Sequence, residues 1–167
     1  MRLSHILATT AALTLGSTAA MADKFVGYGA VDGWNVHIDT EKGTCMVETK
    51  DGLDNVIQMG LTKDRAIGYI GIFTKADTNI RTDVKQDVAL LIGENLYVGE
   101  ATGMRGNITK GYSGGYVLTD DPEVYDAIRR APTMTVFPEK EYSFIVDLAG
   151  TAKALDLAKK CNEDQLQ

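Results

Sequence analysis

In residues 34–39, Trp-Asn-Val-His-Ile-Asp, apolar and polar positions alternate strictly, so Trp34, Val36 and Ile38 share one face of a predicted strand. A turn over 41–44 leads into a second strand at 45–49, and the pair reads as a hairpin. Asp51-Gly52 marks another turn before a strand at 56–61. Residues 66–73 are apolar nearly throughout, with Gly68 and Gly71 inside the run. That pattern predicts a central strand with a close backbone approach or a bulge.

Residues 88–92 and 96–101 flank Gly93-Glu94-Asn95 as a second hairpin signal. Residues 102–115 carry five glycines and no clear period, which predicts a long surface loop before a strand at 116–119. Asp121-Pro122 then starts a helix, because an acidic cap followed by proline suits a first helical turn. Val124, Ala127, Ile128 and Ala131 recur at helical spacing until Pro132 stops them. Segments 134–137 and 142–146 flank Pro138-Glu139-Lys140-Glu141 as a third hairpin. Thr151 is the expected cap of a final helix whose Ala154, Leu155, Ala158 and Cys161 lie along one side. Many short strands and two short helices near the C-terminus predict a mainly β, single-domain antiparallel β-sandwich or barrel-like fold.

The N-terminus does not belong to that rhythm. Arg2, an apolar run over 6–15 and Ala20-Met21-Ala22 have the order of a secretory signal peptide cleaved before Asp23. The expected division is a signal peptide over 1–22 and one β-rich domain over 23–167. The apolar run is too short for a permanent membrane helix. The expected address is therefore the periplasm or the medium, with no membrane insertion. The full chain has 17 Lys and Arg against 23 Asp and Glu, a net charge of −6. That balance opposes nucleic acid as the main partner.

Export changes the reading of the two cysteines. In an oxidising compartment, an even pair without metal-ligand spacing predicts a structural disulfide, here Cys45 to Cys161. Closing so long a loop stabilises by about 4 to 5 kcal/mol in the chain-entropy description.

Several motifs suggest chemistry and lack its context. Gly111-Tyr112-Ser113-Gly114-Gly115 matches the G-x-S-x-G nucleophile elbow, yet a strand follows where a helix is required. His37, the sole histidine after position 22, precedes Ser113 and falls on the face opposite Trp34. Zinc would need more ligands than one histidine and a bonded cysteine pair provide. Gly27, Gly29 and Gly33 lack dinucleotide-binding spacing and read as a glycine-bearing loop or strand. No catalytic, metal or cofactor site is expected. The stretch with binding character is the loop carrying Arg105, Lys110, Tyr112 and Tyr116, because tyrosines on adaptable backbone make good contact surfaces.

The Trp34 strand, the Cys45 hairpin and the ending YSFIVDLAGTAKALDLAKKC resemble the invasion-associated locus B type of small exported proteobacterial proteins. The resemblance implies a periplasmic or secreted β-rich domain, linked to host-cell invasion in some pathogens and otherwise of unknown role, and it carries over no catalytic residue. The expected function is an exported, non-enzymatic binding protein for a protein or envelope ligand. The alternatives are a carboxylate-based hydrolase of envelope glycans and a structural envelope component.

Overall fold

The computed structural model describes residues 24–105 and 111–166. The predicted signal peptide lies outside these residues. Ten strands form one antiparallel sheet: β1 (Phe25–Val31), β2 (Trp34–Asp39), β3 (Thr44–Lys50), β4 (Val56–Leu61), β5 (Gly68–Thr74), β6 (Lys85–Ile92), β7 (Asn95–Arg105), β8 (Ser113–Thr119), β9 (Thr133–Val136) and β10 (Phe144–Asp147). Helix α1 (Pro122–Arg130) joins β8 to β9, and α2 (Thr151–Asp164) follows β10. The mainly antiparallel β fold with two helices is therefore observed.

The strand order is β1-β2-β3-β4-β5-β8-β7-β6-β9-β10, and the ladder does not close. The architecture is one continuous sheet rather than two separate ones. Ile57 of β4 and Val146 of β10 nevertheless line one small cavity. They are six ladder steps apart, roughly 29 Å on a flat sheet, so the sheet folds over on itself. Nine strands and both helices contribute residues to a single core cluster that includes Trp34, Val47, Met59, Ile70, Ile92 and Ile128. The Trp34 indole N–H donates to the Ala149 carbonyl at 3.0 Å, tying β2 to the corner before α2.

Local rules account for most boundaries. Asp121 caps α1 by accepting the Glu123 N–H at 2.9 Å, with Pro122 in the first turn and Arg129 and Arg130 in the last. The central position of β5 follows from its composition, since all seven of its residues are buried. Cys45 and Cys161 are bonded, with Cα atoms 6.0 Å apart. Cys45 lies on the third strand of the ladder, and α2 docks across β3, β2 and the edge strand β1.

One open reading is settled as a strand and two expectations change. Phe25–Val31 is a full strand paired with β2 through a bulge between Gly27 and Gly29, so those glycines serve an edge strand. Of the long loop predicted over 102–115, residues 102–105 belong to β7 and residues 113–115 to β8. Gly103 and Gly115 pair directly, and a Cβ on Gly115 would press on the Thr102 carbonyl at 2.7 Å. Thr151 does not cap α2. Gly150 occupies that place at φ +80°, a conformation glycine adopts without penalty.

Candidate functional site

Of the predicted binding-loop residues that are described, Arg105 and Tyr112 border one shallow groove and Tyr116 lies apart from them on the outer face. Arg105 ends β7 and its guanidinium donates to the Thr78 carbonyl at 3.4 Å. Lys110 lies outside the described residues. Tyr112 is half-buried under the Lys75 ammonium, 5.1 Å from its ring centre. Lys75 in turn pairs with Asp54 at 2.7 Å, and Lys50 pairs with the same carboxylate. Together the two ammonium groups, Lys50 first, hold the Asp54 carboxyl down to about 2.

Tyr116 points away from the core and lies on the outer surface of the sheet. Its ring meets Tyr69 at 5.3 Å and Phe73 at 5.2 Å between centroids, both edge-to-face. The rings lie over positions that bear no side chain, Gly60 under Tyr69 and Gly71 under Tyr116. The Tyr116 hydroxyl donates to Gln58 Oε1 at 2.9 Å, and Gln58 Nε2 donates to Glu48 at 2.7 Å. Burial, aided by the carboxylates of Asp39 and Glu48, pushes the Tyr116 phenol up to about 12. This cluster is a packed second layer on the outer face.

Next to it the outer face changes character. Ile145, Thr135, Leu91 and Leu96 stand opposite one another on β10, β9, β6 and β7, and Ala89 stands opposite Val98 in the next row. Leu118 of β8 continues the surface beside Tyr69. Ile145, Leu96, Val98 and Leu118 remain 64%, 61%, 66% and 57% exposed, so nothing in the chain covers them among the described residues. The Lys85–Glu100 pair at 2.6 Å bounds this band on one side. Antiparallel sheets ordinarily present polar residues outward. Apolar side chains on β10, β6, β7 and β8, interrupted on β9 by Thr135, mark a contact surface.

The band leaves only a trace in the sequence. Residues 88–92 are apolar without alternation, and 96 and 98 are apolar at alternate positions beside Tyr97. Such runs fit strands with two apolar faces, but periodicity alone does not say whether the second face is covered.

The serine motif is dismantled by the fold. Ser113 is buried and shares a hydrogen bond with the Thr78 hydroxyl at 2.8 Å. It stands on the inward register with Thr74, whereas His37 stands outward opposite Met46. Four ladder steps, roughly 19 Å, and the thickness of the sheet separate them. Among the described residues no group of three or more His, Cys, Asp or Glu comes together to hold a metal. No helix among them is long and apolar enough to cross a membrane.

A half-open cleft of about 330 Å³ lies on the inward side, where segments 75–84 and 137–142 reach over β5, β6, β7 and β8. Its floor is Ile72, Val88, Ala101 and Val117. Compared with known protein families, curated proteins and solved structures, the chain matches none.

Proposed function

We propose that the mature chain is an exported, non-enzymatic binding protein that recognises a protein partner through the outer face of β10, β9, β6, β7 and β8. The observation that carries this reading is the set of exposed apolar side chains of Ile145, Leu96, Val98 and Leu118, with half-buried Leu91 between them. Apolar side chains at the centre of a contact patch supply much of its binding energy. The net acidic charge favours a protein over nucleic acid or an anionic membrane surface. The signal-like N-terminus and the disulfide support export. The resemblance to the invasion-associated locus B type proteins supports a partner at the envelope or the host surface. The inward lining of the cleft carries no pair of carboxylates, which weighs against the glycan-hydrolase alternative.

The test is parallel capture from envelope extracts with the wild-type protein and with Val98→Glu, checked by circular dichroism for an unchanged fold. A partner retained by the wild type and lost from the variant supports the reading. Identical captured sets refute it. Sedimentation of both proteins tells a second copy of the chain from a foreign partner.

A further inference from the structure

The inward cleft carries an inference independent of the outer face. Gly103 and Gly115, which stand directly opposite each other, line it, so β7 and β8 place no side chain at these two positions. A segment is stitched across the opening instead. Asp83 N–H donates to the Gly103 carbonyl and Gly103 N–H to the Val84 carbonyl, both at 2.9 Å. A Cβ on Gly103 would collide with the Arg81 carbonyl, so glycine is what permits the approach. Ile80 closes the apolar lining from this segment.

The opposite wall is Phe137. It sits at φ +54°, a region that costs a bulky residue on the order of 1 to 3 kcal/mol. Its N–H donates to the Ala89 carbonyl at 3.1 Å, and its own carbonyl accepts from Lys140 at 2.9 Å. Its ring meets Tyr142 edge-to-face at 5.2 Å, and the Tyr142 hydroxyl donates to Asn79 Oδ1 at 3.1 Å. Both walls are thus fixed by internal bonds, and the cleft is preformed.

The charges at its mouth are one-sided. Lys85 and Asp87 border the cleft but stand on the outward register opposite Thr102 and Glu100, and Lys85 is paired with Glu100 there. The charges left at the mouth are Arg81 and Lys140. Arg81 makes no ion pair among the described residues. Lys140 has only an exposed contact with Glu139 at 3.5 Å, which is worth little. Asp77, Glu139 and Glu141 border the shallow groove alongside, so a singly charged group suits this mouth better than a polyanion.

We infer that the cleft binds a small amphipathic carboxylate, its apolar body on Ile72, Val88, Ala101 and Val117 and its head between Arg81 and Lys140. The volume equals about eleven waters at roughly 30 Å³ each, which suits a ligand of roughly ten heavy atoms. A guanidinium matches a carboxylate geometrically and supplies charge-assisted hydrogen bonds.

The experiment titrates the mature protein with octanoate, octanol and octylamine, read by calorimetry and by amide shifts in a nitrogen-15 correlation spectrum. Octanoate should bind tightest and shift Ile80, Val88, Gly103 and Gly115. Arg81→Gln, at an exposed position that leaves the fold intact, should weaken octanoate about tenfold and leave octanol unchanged. Equal binding of all three probes overturns the carboxylate selectivity. Binding by none, or shifts confined to other residues, overturns the cleft as a ligand site and leaves the outer-face reading untouched.

Discussion

The backbone N–H of Cys45 donates to the side-chain oxygen of Asn162 at 2.9 Å, one residue beyond the cysteine to which Cys45 is bonded. Asn162 also donates its amide N–H to the Ala158 carbonyl at 2.9 Å, so its side chain spans the last turn of α2 and strand β3. Arg65 adds a second clamp, donating to the Asn162 carbonyl at 2.8 Å and to the Gly43 carbonyl at 2.6 Å. The disulfide is therefore one of three fastenings at the same spot.

Loss of the disulfide should weaken the C-terminus without freeing it. Cys161→Ser is expected to lower stability by about 2 to 4 kcal/mol, with α2 retained at neutral pH. Adding Asn162→Ala should release the helix, because the buried Cys45 N–H then loses its acceptor. Hydrogen exchange across 151–164 reads this out, and alkylation of the unfolded, unreduced wild type checks the bond. Two alkylated thiols in the wild type, or rapid exchange along α2 in the single variant, would contradict the triple fastening.

Asp39 should set part of the acid limit. Its carboxylate is buried, accepts the N–H groups of Glu41 and Lys42 at 3.1 Å each, and pairs with the Lys42 ammonium at 2.8 Å. Burial raises its pKa, but Lys42 and the two amides outweigh that and hold it below the usual carboxylate value. A folded pKa below the unfolded one adds stability that is complete above about pH 4 and is lost as pH falls through the lowered value. Asp39→Asn is expected to cost about 1 to 2 kcal/mol at neutral pH and to flatten the acid limb. Thermal melts from pH 2 to 7 that run parallel for both proteins would show that Asp39 has no such role.

Gly71 should be intolerant of the smallest side chain. A Cβ there would stand 2.5 Å from Cε1 and 2.8 Å from Cδ1 of Tyr116, so the ring must lift from the sheet. Gly71→Ala is expected to destabilise by about 1 to 3 kcal/mol. The penalty should largely vanish in a Tyr116→Ala background, where the space is free. Denaturant melts of the four proteins in the cycle measure the coupling, and additive effects would mean that the ring does not rest on Gly71.

The serine and the histidine that attract attention in the sequence should separate by stability and not by activity. Ser113→Ala removes the partner of the buried Thr78 hydroxyl and is expected to cost about 1 to 2 kcal/mol. His37→Ala should stay within about 0.5 kcal/mol of the wild type, as for an outward-facing residue. Both variants should retain partner capture. Loss of capture by either one, with its fold intact, would restore a chemical role for that residue.

Sequence alone determined whatever depends on neighbours along the chain. The alternation at 34–39 set β2, Asp121-Pro122 set the start of α1, and the unbroken apolar run near 68–73 set a strand buried on both faces. The cysteine pairing also followed, because two cysteines leave one intramolecular bond. Tertiary structure decided whatever depends on residues far apart. Only pairing could show that Gly103 and Gly115 stand opposite each other in the lining of a cleft, or that Tyr116 rests on Gly71. Only the ladder order could bring Ile145, Leu91, Leu96 and Val98 onto one patch, and only the folded chain could leave Ile145, Leu96 and Val98 uncovered. A strand's own pattern says which side chains share a face, but long-range packing alone determines whether that face meets core, another layer or water.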